Sequence, residues 1–229
     1  MEQALYNTVL SGMALDGKSF FYVNPLEVLP EACHKDERKF HVKDIRQKWF
    51  GCACCPPNLA RTLSSVSSYA FTENDDTLFV HLYIGSDVKK KVNGQEVAVH
   101  IDSAFPWDGK VTVSVDGANV PLTLALRIPG WANSYTVSAD SSEYTIKDGY
   151  LYITRTWKKG ETLTLDFPME IQVWNADPRV REDIGKAAVT RGPITYCLEE
   201  KDNGTDLHLL TLDWNAPAFV KDAVVAGEP

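Results

Sequence analysis

Hydrophobic residues follow two different periods along this chain, and the change falls near position 71. Upstream, Leu5, Val9 and Met13 recur every four residues within 2–15, the spacing of one buried helical stripe, and Asp16-Gly17 closes the run. A second helix is predicted over 58–70, with Leu59, Leu63, Val66, Tyr69 and Ala70 on one face. Pro56 and Pro57 precede it, where a helix tolerates proline in its first turn. The intervening segment, 18–55, contains the strand-like Phe20-Phe21-Tyr22-Val23. Connections of that length are uncommon in compact domains and often functional.

Downstream the period drops to two. Leu78, Val80, Leu82 and Ile84 alternate with Phe79, His81 and Tyr83, and Val97, Val99 and Ile101 follow. Val111, Val113 and Val115, then Leu122, Leu124, Leu126 and Ile128, then Leu151 and Ile153, then Leu163, Leu165 and Phe167 continue the pattern. Asn93-Gly94, Asp108-Gly109, Asp116-Gly117, Asp148-Gly149 and Lys159-Gly160 punctuate these runs as turns. The expected fold is mainly β: an antiparallel sandwich over 71–229, preceded by a helical part over 1–70. Lys89-Lys90-Lys91 reads as a solvated edge strand, and the tail from about Leu212 as less ordered.

Length and charge narrow the partners. A chain of 229 residues can bury a full core, and 44% hydrophobic with 24% charged residues is ordinary for a globular protein. The net charge of −8 argues against nucleic acid, since phosphate binding wants a basic surface. No apolar run nears the ~20 residues that a bilayer needs, so a membrane is not an expected partner. The opening MEQALYNTVL lacks a basic-then-apolar leader pattern and reads as a helix interior, as though the chain starts partway through a larger protein.

Five cysteines stand at 33, 52, 54, 55 and 197, an odd count with three in four positions. Such close spacing rarely satisfies disulfide geometry, which favours reduced thiols and a reducing compartment, the cytoplasm. Cys54 and Cys55 fall just ahead of a helix start, whose unpaired N–H groups and dipole favour thiolate. Three readings stay open for them: buried small hydrophobes, zinc ligands, or a redox pair, the last weakened by the missing two-residue spacer.

Other candidates have plainer readings. Glu27 and Glu31 fit a paired acid and base but sit in a charged, solvated stretch with Lys35–Lys39. Cys33, His34 and His41 offer further metal ligands to Cys54 and Cys55. His81 and His100 read as satisfied strand histidines, and Cys197 as a strand position filling a core. Trp107, Trp131, Trp157, Trp174 and Trp214 raise the alternative of a carbohydrate-binding or purely supporting sandwich, against which stands ordinary packing.

Four stretches resemble the β-L-arabinofuranosidases of glycoside hydrolase family 127 and the related family 146. They are Leu5-Tyr6-Asn7 with Leu10-Ser11-Gly12, the run from Leu15 to Leu26, the run Gly51-Cys52-Ala53-Cys54-Cys55-Pro56-Pro57-Asn58, and Arg191-Gly192-Pro193. The resemblance implies the last turns of an (α/α)6 barrel over 1–70, then β-sandwich over 71–229. It implies a retaining hydrolase whose zinc is held by a glutamate and three cysteines, with a cysteine nucleophile in place of the usual carboxylate. Matched residue by residue, Cys54 would be nucleophile and zinc ligand, Cys55 a second ligand, and Tyr22 a tyrosine near the sugar. Cys52 matches a cysteine beside the site. The acid/base glutamate, the glutamate ligand and the third cysteine ligand lie upstream of the stretch matched by Met1, so the isolated chain is expected to be inactive. The implied substrate is an arabinofuranosyl-containing oligosaccharide or glycoconjugate. A homodimer is compatible with the resemblance, and so is a periplasmic or secreted parent whose leader lay upstream.

Overall fold

Alternation of apolar and polar positions produces two sheets whose inner faces make the core. The computed structural model describes residues 1–221 except 26, 53, 117, 118 and 214. It separates into two compact units, Met1–Pro168 and Met169–Pro229.

In the first unit, β1 (Phe71–Glu73), β2 (Thr77–Val80), β6 (Pro121–Arg127), β9 (Tyr150–Thr156) and β8 (Tyr144–Lys147) form one sheet in that spatial order. The other sheet orders β3 (Ser86–Val92), β4 (Gln95–Ser103), β5 (Lys110–Asp116), β10 (Glu161–Asp166) and β7 (Thr136–Val137). Leu78, Val80, Leu122, Leu124, Leu126, Leu151 and Ile153 from the first sheet are buried, as are Val97, Val99, Val111, Val113, Val115, Leu163 and Leu165 from the second. Every pairing is antiparallel except β2 with β6, which is parallel. The fold is thus mainly β, as the period-two pattern implies.

Turn chemistry sets the register. Asn93-Gly94 and Asp148-Gly149 both have positive φ at both positions, the type I′ geometry that matches strand twist, and they join β3 to β4 and β8 to β9. Lys159-Gly160 instead connects β9 to β10 across the two sheets. Gly109 is required by crowding: a Cβ there would stand 1.9 Å from the Phe167 carbonyl oxygen. Asp116-Gly117 extends outside the described residues, as do Trp214 and part of the tail from Leu212.

The structure departs from expectation in several places. The alternation at 78–84 is strand only through Val80, because the chain then crosses from one sheet to the other. Tyr83, on the other side of that alternation from Leu82 and Ile84, is fully buried and donates its hydroxyl to the Arg127 carbonyl at 2.6 Å. The lysine run does lie on an edge strand, β3, but Lys90 points inward and is only 4% exposed. Its ammonium reaches the Glu73 carboxylate at 3.3 Å and the Asn74 carbonyl. Cys197 follows the last strand and is exposed rather than core.

Helices are fewer and shorter than the spacing suggests. The stripe at 2–15 becomes α1 (Glu2–Ala4) followed by a π-helical turn, Leu5–Val9. Met13 is then drawn into a bridge with Phe20, and Phe20 into one with Gln47, so Phe20–Val23 makes no strand of its own. The long connection carries α2 (Pro30–Lys35). The second predicted helix starts three residues early, as α3 (Cys55–Ser64), and resumes as α4 (Ser67–Ala70). Leu5, Ala70 and Leu82 share one small core with Val9, Val66, Phe71 and Ile84, which joins the helical part to the sandwich.

The second unit holds β11 (Ile171–Asn175), β12 (Ala187–Arg191) and β13 (Ile194–Tyr196) in a three-stranded antiparallel sheet, then α5 (Glu200–Asn203). Gly192-Pro193 makes the tight turn from β12 to β13, with Gly192 at positive φ, where a Cβ would meet the Met169 sulfur at 2.9 Å.

Candidate active site

The cysteine segment meets the Tyr22 loop at the start of α3. Cys54 is the residue before the helix and Cys55 its first helical residue. Pro56 and Pro57 follow, fixing φ for the first turn but carrying no N–H. Few backbone donors are left there, and the Asn58 N–H and side-chain amide both turn back to the Cys54 carbonyl, at 3.3 and 2.8 Å. The groups that favour the Cys54 thiolate are therefore chiefly side chains, with the Cys54 backbone a smaller contribution.

Those side chains are close. The sulfurs of Cys54 and Cys55 lie 3.4 Å apart, and the Cys55 thiol reaches the Tyr22 backbone carbonyl at 3.5 Å. The Tyr22 phenol and Cys52 are the other groups whose influence reaches the Cys54 thiol. Cys54 and Cys55 are half-buried and Cys52 is exposed. Aromatic rings seat Tyr22: Phe50 lies 5.5 Å from it and His41 stands edge-on at 6.0 Å. Phe20 packs on Phe50 at 5.2 Å. Sequence reasoning missed Phe50, and it offered His41 as a metal ligand rather than as a ring against Tyr22. The aromatic pair Trp49-Phe50 beside the cysteines was the available signal for Phe50.

Charge follows from who donates to whom. Tyr22 is the largest influence on Cys54, ahead of Cys55 and Cys52, and together they hold its thiol below the usual range. Burial, then the hydrogen bond to Cys54, pushes Cys55 up to about 11. Donation to Cys54, then the charge there, pushes the Tyr22 phenol up to about 12. The cluster carries one favoured anion, on Cys54, with a phenol and a thiol as donors to it.

Two thiolates on one tetrahedral zinc, at about 2.3 Å each, stand about 3.8 Å apart. The 3.4 Å spacing of Cys54 and Cys55 is near that, so the pair fits two corners of such a shell. Among the described residues, no three His, Cys, Asp or Glu side chains converge to hold a metal ion. Cys33, buried in α2, and His34, paired with Asp44 at 3.3 Å, do not join the cluster. His41 meets Tyr22 as a ring, not as a ligand.

The remaining candidates are accounted for elsewhere. Glu31 pairs with Lys35 at 3.2 Å on the surface, and Glu27 is exposed. His81 bonds Thr72 and Tyr150, both at 2.7 Å, and His100 bonds Asp87 at 2.5 Å. Trp131 and Trp157 are buried, the latter donating to the Leu122 carbonyl at 2.9 Å beneath the Arg155 guanidinium. Trp107 and Trp174 are exposed, but they belong to different units and form no described platform.

Fold and site together define a helical segment bearing a thiol and phenol cluster, joined to successive β domains. Family models match the whole order. They are the β-L-arabinofuranosidase GH127 catalytic domain at residues 1–68, the GH127 middle domain at 77–169, and the glycoside hydrolase family 127 C-terminal domain at 171–223. The chain belongs to glycoside hydrolase family 127. A non-reducing end β-L-arabinofuranosidase of Bifidobacterium longum subsp. longum is 38% identical over 218 residues, covering 90% of this chain and 32% of that protein. A GH127 β-L-arabinofuranosidase from Geobacillus stearothermophilus T6 is 50% identical with a TM-score of 0.82, over 90% of this chain and 33% of that one. A further GH127 β-arabinofuranosidase structure is 34% identical at a TM-score of 0.75, over 88% and 33%. The chain thus spans about a third of the length of these relatives.

Proposed function

We propose that this chain supplies the cysteine-bearing part of a retaining β-L-arabinofuranosidase, with Cys54 as nucleophile. The observation that carries the reading is the pairing of the Cys54 and Cys55 sulfurs, 3.4 Å apart at the start of α3, against the Tyr22 backbone. A thiol stabilised as thiolate and open to solvent on one side is suited to attack a carbon electrophile.

In this reading Cys54 attacks the anomeric carbon of an arabinofuranosyl unit, expelling the aglycone oxygen and forming a thioglycosyl-enzyme. Water then displaces the sulfur and restores the thiolate. The leaving oxygen needs a proton in the first step, and the water must lose one in the second. The groups that shape Cys54 are Tyr22, Cys55 and Cys52, with no carboxylate among them, so the acid/base group would come from beyond these residues. Tyr22, whose phenol stays protonated to about 12, keeps the sulfur ionised and oriented between steps. Cys54 and Cys55 would hold zinc together with ligands from outside the cluster. When bound, that ion would keep both sulfurs as thiolates and make Cys54 a better leaving group. The 229 residues alone would then be inactive, and their reduced thiols suit a reducing compartment.

A chimera tests this. Residues 1–223 replace the matching third of the Geobacillus relative, and hydrolysis of an aryl β-L-arabinofuranoside is measured. The chimera should be active, and Cys54→Ala should lower kcat by at least about a thousandfold. Activity that survives Cys54→Ala would exclude Cys54 as nucleophile. The 229-residue chain by itself should show no hydrolysis, and turnover near that of a full-length relative would refute its inactivity.

A further inference from the structure

Strand β3 breaks its own pattern at one position. Val88, Lys90 and Val92 share the face that alternation turns to the core, beside Val97 and Val99 of β4, yet the middle residue is a lysine only 4% exposed. Burying an ammonium is costly, and apolar residues packed in place of a buried ion pair often leave a protein equally or more stable. Joining the two sheets does not by itself call for a lysine here. A break in an otherwise consistent pattern is where a functional group is expected.

Lys90 lies at the base of a cleft of about 630 Å³, open to solvent. That volume is within the about 300–1,000 Å³ of ligand clefts. Its walls are two turns, β1–β2 with Glu73, Asn74 and Asp75, and β3–β4 with Lys91 and Asn93. Both turns are set by their own bonding. Asn74 Oδ1 accepts from the Thr77 N–H at 2.9 Å, the Asn74 N–H donates to the Thr77 carbonyl at 3.1 Å, and Asn93-Gly94 holds positive φ at both positions. The cleft therefore has its shape before any ligand arrives.

Donors and acceptors are left over in it. An ammonium carries three N–H groups. Lys90 donates to the Glu73 carboxylate at 3.3 Å and to the Asn74 carbonyl, which leaves one N–H for a ligand. Glu73 keeps its other carboxylate oxygen, on a side chain 58% exposed. Among the described residues, the side chains of Asp75, Lys91 and Asn93 make no hydrogen bond. Two carboxylates stand against two ammoniums, so the cleft has no net charge, and none of its six residues is apolar. A phosphate or a metal cation finds no matching charge there, and a lipid or aromatic ligand finds no apolar wall. The chemistry that fits is a neutral polyol, whose hydroxyls both donate to carboxylates and accept from ammonium or amide groups.

We propose that this cleft binds a sugar residue of a neutral oligosaccharide. One hydroxyl accepts from the remaining Lys90 N–H and donates to Glu73, and its neighbours are bonded at the rim by Asp75, Lys91 and Asn93. The site shares no residue with the thiol cluster and goes beyond the reaction assigned to Cys54.

The test titrates the ¹⁵N-labelled 229-residue chain with L-arabinose and with maltose, and follows backbone amide shifts at 74–76 and 91–94. Either sugar should give saturable shifts there, with Kd in the millimolar range because every bond competes with water. Asp75→Ala and Lys91→Ala, at exposed positions, should keep the fold and weaken binding several-fold. Lys90→Met keeps the stem, removes the donors and should abolish binding; if it does not fold, the two rim variants decide. Lys89→Ala, on the opposite face of β3, should bind as the unchanged chain does. The proposal is overturned if neither sugar gives a saturable shift, if the rim variants bind unchanged, or if inorganic phosphate or calcium chloride shifts these amides more strongly than the sugars do. Cys54→Ala should bind sugar normally here, whereas its role as nucleophile is decided by hydrolysis in the chimera, so either idea can fail alone.

Discussion

A thiol that receives hydrogen bonds ionises more easily than one that gives them, and Cys54 and Cys55 divide these roles. Alkylation should therefore begin at Cys54 at a pH below the usual thiol range and at Cys55 only as the pH nears about 11. Tyr22→Phe removes the largest stabilisation of the Cys54 anion, so its rate profile should move to higher pH, with labelling at pH 7 falling several-fold. Residue-resolved alkylation rates between about pH 5 and 12 check both expectations, and an unmoved Cys54 profile in Tyr22→Phe would contradict them. The cysteine cluster was legible because three thiols in four positions are rare outside chemistry. The source of the activation was not, because two prolines silence the helix start and the phenol arrives from a distant loop. The ion pair of Glu2 with Arg127, 125 positions apart, carries no local signal at all.

Strands were the most legible elements, since one buried face imposes strict alternation and the Asn-Gly and Asp-Gly turns fix register. The pattern failed where an element changes partner. Between Val80 and Ser86 the chain leaves one sheet for the other, and alternation continues without a strand beneath it. Within β3 the same alternation turns Lys90 inward, where composition alone suggests three solvated lysines. Lys90→Ala should leave Asn74 and Glu73 without their donor and cost about 1–3 kcal/mol, whereas Lys89→Ala, at an exposed position, should stay within about 0.5 kcal/mol. Urea denaturation of the two variants tests the contrast. Gly109→Ala should be destabilising by about 1–3 kcal/mol or more, because the backbone at Phe167 must move to admit a methyl group. In the helical part, the every-four spacing of Leu5 and Val9 hides a wider π turn that only the tertiary contacts select.

At the scale of the whole chain, the cluster around Cys54 and the sandwich behind it lie within Met1–Pro168. A chain ending at Pro168 should therefore fold and keep the Cys54 alkylation profile of the 229-residue protein. A profile shifted to higher pH would show that Met169–Pro229 contributes to the site. The division between units coincides with the step from the middle-domain match, ending at 169, to the C-terminal match, starting at 171. Period-two alternation carries no mark of it, because strands in either unit look alike.

The parallel pairing of β2 with β6 has a consequence for assembly. Neighbouring hairpins such as β3–β4 and β8–β9 close short loops and can form early, but β2 must wait for β6 across the entire intervening meander. β6 ends in the arginine that grips Glu2. Both the parallel pairing and that ion pair therefore close over long stretches of chain, and a chain halted before β6 would have neither.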